Sequence, residues 1–284
     1  MLSLKKQIKK IKFVELFLIL WRHKKKWFIN NSKKLYGHAK KNNQSSLGIY
    51  FIYKMLWTEL FFLKEKNESA KEYGYMLPNR AMSDSDVISK HYRGDYKFEL
   101  MDAFSPNINM WSKFFMINNL HTKKTNYLEI GVFEGRSSVY ILENLQNAIC
   151  HFVDPLQPYD EMTDSTGQDD FHKTYDNFTS NIELFDSRAT LHRKTSDSFF
   201  LNNTEKFDLI YIDGSHFGDD VYKDAINAFD SLNKKGFIIF DDFFWFFFDT
   251  VEENPLGGIF KFIVENNNHL KIKYVSNQLI IQKK

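Results

Sequence analysis

From about Asn126 onward, short apolar runs alternate with amphipathic stretches, a texture that predicts an α/β domain built on a largely parallel sheet. Strands are expected at Asn126–Ile130, Ala148–Val153, Ala189–Arg193, Phe207–Ile212 and Phe237–Phe240. Between them, helical spacing of apolar positions covers Ser137–Leu145, Asp169–Leu184, Ser196–Leu201 and Asp219–Leu232. The end of the chain reads differently. A helix near Gly257–Asn266 precedes two apolar runs, Leu270–Val275 and Gln278–Gln282, separated by only Ser276 and Asn277 as turn residues. Strands joined so closely must pair antiparallel, because a parallel partner needs a long crossover.

The region before Asn126 has another pattern. Leu4, Ile8, Ile11, Leu18 and Trp21 follow helical spacing, with Lys5, Lys6, Lys9, Lys10 and Lys12 largely on other faces. That is the pattern of a basic amphipathic helix, lying either on a membrane surface or on the protein's own body. The run Phe13–Trp21 contains Glu15, is too short to span a bilayer and lacks a small-residue cleavage site, so it does not read as a secretory signal. A second aromatic stretch, Leu47–Leu63, carries Lys54 and Glu59, which favours a core or interfacial helix over a span. From Lys64 to Asp102 the chain turns polar and holds Gly74, Pro78 and Gly94. The expected organisation is therefore a basic, aromatic helical region over 1–64, a linker and helical cap over 65–125, and the main domain over 126–284.

Composition narrows the class. The 284 residues are 43% hydrophobic with 29 Phe, 12 Gly and 5 Pro, which excludes disordered and collagen-like chains and predicts aromatic packing. A single cysteine, Cys150, lies in an apolar run; it excludes a disulfide within the chain and reads as a buried structural thiol in a reducing compartment. The net charge of +2 hides an asymmetry: residues 1–40 carry +11, and the remainder −9. A basic arm on an acidic body suggests an anionic surface as the arm's partner. Nucleic acid is disfavoured for the body, since its affinity needs many Lys/Arg contacts near the site.

Candidate chemistry clusters at the strand ends. The first strand runs through Glu129-Ile130-Gly131-Val132-Phe133-Glu134-Gly135-Arg136-Ser137 into a helix, so Gly131 and Gly135 let a ligand approach the backbone and Ser137 opens a helix with free N–H groups. A glycine turn serving helix packing is the plainer reading. The segment departs from the dinucleotide fingerprint, because Phe133 occupies the second glycine position. Asp154 ends the second strand, where an acid can hold two ribose hydroxyls or simply form a turn. Ser196 and Asp197 start a helix after the third strand, as a cap or as contacts to a base edge. Asp213 and the pair Asp241 and Asp242 end the fourth and fifth strands. Three carboxylates converging there would repel strongly unless a hard dication such as Mg²⁺ neutralised them. His216 reaches the same edge as a candidate base. The run Phe243–Phe248 follows, reading as core, as an interface or as an acceptor wall.

Taken together and in order, these segments resemble the class I S-adenosylmethionine-dependent methyltransferases, and more closely the small metal-dependent O-methyltransferases of the macrocin and mycinamicin type. The resemblance implies a Rossmann-like methyltransferase fold with a mostly parallel seven-stranded sheet and an antiparallel last strand, preceded by a mainly helical region. It implies that Gly131, Phe133, Gly135 and Ser137, with Glu129, surround the methionine end of the cofactor, that Asp154 holds the ribose, and that Ser196 and Asp197 border the adenine. Asp213, Asp241 and Asp242 map to Mg²⁺ ligands, Asp213 also bordering the cofactor. His216 stands where the catechol-type relatives carry a lysine, so a proton-accepting role for His216 or Asp213 is an inference rather than a matched residue. The expected activity is methyl transfer to a hydroxyl of a small molecule or glycan in the cytoplasm, with peripheral attachment to the inner face of a membrane through residues 1–40. An N- or carboxyl-methyltransferase without metal, and a non-catalytic, membrane- or partner-binding protein of the same fold, stay open as alternatives; so does a homo-oligomer.

Overall fold

The computed structural model describes residues 26–73, 92–157 and 168–284. The expected basic helix from Leu4 to Trp21 and the breakers Gly74 and Pro78 lie outside the described residues. Two helices come first, α1 over residues 26–41 and α2 at Ser45–Tyr73, the latter running past the expected boundary at residue 64; α3 follows at Ile108–Ile117. The alternating part then reads β1 (Thr125–Ile130), α4 (Arg136–Asn144), β2 (Ala148–Val153), α5 (Gln168–Glu183) and β3 (Ala189–His192). It continues through α6 (Ser196–Phe200), β4 (Phe207–Ile212), α7 (Gly218–Ser231) and β5 (Leu232–Phe240), and ends in α8 (Pro255–Asn266), β6 (Leu270–Val275) and β7 (Leu279–Lys283).

The seven strands form one sheet in the order β3-β2-β1-β4-β5-β7-β6. Strands β1 to β5 pair in parallel, and β7 is antiparallel to both of its neighbours, so the closing hairpin expected from the short Ser276–Asn277 link is present. This is the expected Rossmann-like α/β fold. The chain leaves β1 toward β2 on one side and returns to β4 on the other, which makes the β1/β4 boundary the topological switch point where open sheets bind ligands. One strand is longer than expected: β5 begins at Leu232 rather than Phe237. Its first half, Asn233–Lys235, is polar, and Lys235 has a left-handed φ of 66°, so neither alternation nor hydrophobicity marks it.

Both faces of the sheet are buried, as a parallel sheet requires. Leu128, Ile130, Ile210, Ile238 and Phe240 point to a core shared with α7 and α8, while Tyr127, Leu209, Tyr211, Phe237 and Ile239 point to one shared with α3, α4 and α5. The period of two along each strand divides the aromatic side chains between the layers. Cys150 is buried and free on β2, and burial pushes its thiol well above the ordinary range, consistent with a structural role.

The first two helices join the same core. Phe51 of α2 is fully buried, stacking on Phe243 with ring centroids 5.7 Å apart and meeting Phe260 at 5.9 Å, while the Val275 N–H donates to Thr58 Oγ1. Of the readings for Leu47–Leu63, the inner face is therefore core; no helix among the described residues is long and apolar enough to cross a membrane. Replacing Phe51 by Leu should cost about 1–1.5 kcal/mol in urea denaturation, whereas Tyr53→Leu on the outer face should stay within about 0.5 kcal/mol. Equal effects at the two positions would contradict the docking of α2.

Candidate active site

The C-terminal ends of the parallel strands meet at the switch point through backbone contacts. The Gly131 N–H donates to the Val153 carbonyl, and the Asp213 N–H to the Ile130 carbonyl, which ties the turn after β1 to the ends of β2 and β4. Gly131 has a left-handed φ of 82°, and a Cβ there would run into the Asp213 carbonyl, so the turn needs glycine on both counts. Phe133 also adopts a left-handed φ, 49°, and remains 36% exposed beside the turn.

Asp154 organises this turn. One carboxylate oxygen accepts the Val132 N–H at 2.9 Å and the other the Leu156 N–H at 2.7 Å. Burial raises its pKa against the lowering effect of those N–H groups and of the Phe133 N–H, and a carboxylate has four acceptor positions, one more than these three donors fill. Beneath the turn, Glu129 is fully buried; Tyr127 donates to it at 3.0 Å and the Ser137 hydroxyl donates to its other oxygen. Gly135, the N-cap of α4, offers no side chain to the first turn, so the buried start of that helix faces the crevice without a capping group.

Burial pushes the Glu129 carboxyl up to about 8, eased by its hydroxyl partners and worsened by Asp154. Because the folded value lies above the ordinary 4.5, the folded state holds this proton in the window between, and stability falls as pH rises from 4.5 through about 8. Glu129→Gln should therefore gain on the order of 2 kcal/mol at pH ~9 and nothing near pH ~4, read from denaturation midpoints. A gain independent of pH would reject the buried charge as its cause.

On the β4/β5 side, the carboxylates divide. Asp242 has a left-handed φ of 49° and turns outward, its Oδ2 lying 2.9 Å from His216 Nε2. One ligand atom from each of Asp213, His216 and Asp242 lies within 4.8 Å of the others, the spacing a bound cation needs. Asp241 turns the other way. Its Oδ2 accepts from the Tyr211 hydroxyl and from Gln278 Nε2 at 2.8 Å, and its Oδ1 accepts the Asp242 N–H at 2.7 Å. The left-handed backbone at Asp242, just past the end of β5, turns it away from Asp241, so only one of the pair joins the cluster with His216.

Tyr211 stands between two acids, since its hydroxyl also lies 2.9 Å from Asp213 Oδ2. A phenol has one proton, so both contacts become favourable only if one carboxyl is protonated or a cation is near. The titration directions agree. Burial followed by the Asp241 and Asp242 charges holds Asp213 well above the carboxylate range, and burial followed by Asp242 pushes Asp241 up to about 6.

Ser196 and Asp197 sit at the same sheet edge beyond β2, but differ in availability. Ser196 hydrogen-bonds the buried Asp224, whose carboxyl burial pushes up to about 7, while Asp197 is exposed. Thr195 supplies the cap of α6, accepting from Ser198 N–H at 3.3 Å. The run Phe243–Phe248 splits by face: Phe243 is core, whereas Trp245 packs on His216 at 4.6 Å and stacks with Phe247, which is 72% exposed. Helix α1 braces this loop from outside, with Trp27 edge-on to Phe244, the Lys34 ammonium over Phe246, and Lys41 paired to Glu252.

Sequence reasoning missed three side chains. Tyr211 lies two residues before Asp213 on the same strand face, Gln278 is a polar residue opening a buried strand, and Trp111 donates to Gln278 Oε1 at 2.7 Å. A hydroxyl inside an apolar run and an amide at the head of one were the signals for Tyr211 and Gln278, and the Trp111 indole N–H gave none. Glu134, within the glycine segment, is fully buried and accepts the Glu99 and Leu100 N–H groups, holding residues 92–102 against α4 and α5.

Residues 128–243 match the family described as "Methyltransferase domain". No curated protein matches the chain. Among solved structures, a putative O-methyltransferase from Klebsiella pneumoniae is similar at 16% identity, TM-score 0.49, over 78% of this chain and 96% of that one. The O-methyltransferase from Bacillus cereus in complex with SAH is similar at 16% identity, TM-score 0.43, over 78% and 90%. TomG from Streptomyces achromogenes, an O-methyltransferase involved in tomaymycin synthesis, is similar at 12% identity, TM-score 0.43, over 78% and 89%. The sheet order, the glycine turn at the switch point and the acid after β2 all fall within or beside residues 128–243, the part of the chain that is similar to a methyltransferase domain.

Proposed function

We propose that this enzyme transfers the methyl group of S-adenosylmethionine to a hydroxyl of a small molecule or glycan, with a divalent cation, Mg²⁺ in the first instance, beside the acceptor. The observation that supports this best is the convergence of Asp213, His216 and Asp242 next to the Gly131 turn. When bound, the cofactor supplies a methyl carbon activated by positive sulfur and the cation supplies charge that favours an ionised hydroxyl. The chain's own task is orientation, water exclusion and proton handling.

In this reading the turn residues Gly131, Phe133, Gly135 and Ser137, over Glu129, border the methionine end. The uncapped start of α4 suits its carboxylate, the remaining acceptor position of Asp154 suits a ribose hydroxyl, and the exposed Asp197 beside Ser196 suits the adenine edge. Asp213 serves both poles. Asp241, already bonded by Tyr211, Gln278 and the Asp242 N–H, acts behind Asp213 and Asp242 by adding charge. The Trp245 and Phe247 rings suit a flat or sugar-ring acceptor, whose C–H faces stack on aromatic surfaces.

His216 has two readings. Oriented by Asp242, it accepts the hydroxyl proton at the ring nitrogen facing away from that acid; within the 4.8 Å cluster, it is a third ligand, and the mixed donor set then also suits Mn²⁺ or Zn²⁺. His216→Gln separates them: a ligand loss raises the cation concentration needed for half-maximal transfer, while a base loss removes the lower limb of the pH–rate profile at unchanged cation response. The proposal as a whole is tested by transfer from labelled S-adenosylmethionine to hydroxylated glycans and catechols, with Mg²⁺ and after chelation. Transfer unaffected by chelation would move the acceptor to nitrogen or carboxyl. The basic arm of residues 1–40 is assigned, within the same proposal, to an anionic membrane surface that brings the enzyme to its acceptor.

A further inference from the structure

Over residues 49–57 the outer face of α2 is mainly apolar and aromatic, with Lys54 its one charged residue, where a solvent-facing helix ordinarily carries several. Ile49, Tyr50, Tyr53 and Trp57 are all exposed, Ile49 and Tyr53 by 57% and 59%, and their spacing sets them on one face. Beside this ridge a groove of about 580 Å³ runs between α2, the edge strand β6 and the end of α8. Lys54, Lys271, Lys273 and Lys284 line it, and no aspartate or glutamate does. The Lys54 ammonium lies 5.5 Å from the Trp57 ring centroid and 5.8 Å from that of Tyr50, and burial together with the Lys273 charge holds it below the usual lysine range. Like charges gathered among aromatic rings are stabilised by an anion brought from outside.

We propose that the α2 ridge and the lysine groove beside it form a docking face for an anionic phospholipid bilayer, separate from the basic arm. Tyr and Trp prefer the headgroup level of a bilayer, where an apolar ring body and a polar tip are both satisfied, and lysines there meet lipid phosphates. A second copy of the chain fits poorly. A two-fold contact places each patch on itself, which would set four lysines against four. The face lies along the β6 edge of the sheet, on the far side of β7 from β5, so docking there leaves the methyl-transfer crevice open.

The test is flotation of the full chain with phosphatidylcholine vesicles, with and without about 30 mol % phosphatidylglycerol. The triple variant Lys54→Gln, Lys271→Gln, Lys273→Gln keeps residues 1–40 intact and should bind the anionic vesicles on the order of a hundredfold more weakly. Ile49→Ser with Tyr53→Ser, both exposed in the wild type, should weaken binding as well. Unaltered urea midpoints and S-adenosylmethionine titrations establish that the variants are folded. Unchanged flotation of the triple variant would overturn the proposal and leave the arm as the only contact, and a wild type that ignores anionic vesicles would overturn it outright. Saturable binding of free glycerol phosphate without flotation, or a dimer abolished by the Ile49/Tyr53 changes, would replace the bilayer by a soluble anion or a second copy.

Discussion

Gly131→Ala is expected to destabilise the protein by about 3–5 kcal/mol, the sum of a left-handed backbone on a Cβ-bearing residue and an overlap with a main chain that cannot step aside. The obstructing atom is the Asp213 carbonyl, fixed because the Asp213 N–H donates to the Ile130 carbonyl at 2.8 Å. The residue before the glycine and the residue carrying a site carboxylate thus share one rigid junction. Urea denaturation measures the loss, and titration with S-adenosylmethionine under conditions where the variant is folded should show weakened binding, because relief of the overlap displaces the turn that Asp154 holds through the Val132 N–H. A cost below about 1 kcal/mol would mean that β4 yields freely at this point, and the turn would then be no more than a packing device.

The same junction shows what the sequence could reveal. Ala148–Val153 and Phe207–Ile212 were legible to the residue, because buried parallel strands are largely apolar runs bounded by turn residues, interrupted here only by His151 and Asp208. The first half of β5 was not, since Asn233–Lys235 carries no hydrophobic signal, lies where the β4/β5 register shifts, and is held by Asn233 donating to Asp208 and Gln282 donating to the Lys235 carbonyl. The glycine turn, Asp154 and Asp213 were legible because their chemistry is local: each ends a strand and follows directly from its place in the chain. The partition of Asp241 from Asp242 was not, because it depends on Gln278 and Trp111, which reach Asp241 and Gln278 across 37 and 167 residues of chain. The aromatic run was half legible. Its composition predicted packing, but which ring enters the core and which stacks beside His216 follows from the bend after Asp242.

Asp213→Asn is expected to lower methyl transfer on the order of a thousandfold while S-adenosylmethionine affinity changes by no more than about threefold, and to stabilise the metal-free protein. The two effects have one origin. Asp213 is held well above the carboxylate range by burial and by the Asp241 and Asp242 charges, so in the absence of a cation the folded state prefers it protonated. For Asp241 the folded value is about 6 against an ordinary 3.8, and between those values the folded chain binds more protons than the unfolded one, so stability falls as pH rises through that window. An amide at position 213 cannot take on the charge that burial and the Asp241 and Asp242 carboxylates resist, keeps an oxygen for the Tyr211 hydroxyl, and should remove the part of the pH dependence that Asp213 itself contributes in the metal-free protein. Addition of Mg²⁺ should reverse the order, stabilising the wild type more than the variant, because only the intact cluster offers both carboxylates. Calorimetric scans at pH ~5 and ~8, with cation and after chelation, read all of this in one series. A variant that keeps near-normal transfer, or a wild type whose stability ignores both pH and cation, would remove the carboxylate cluster from the chemistry and return it to the surface of the fold.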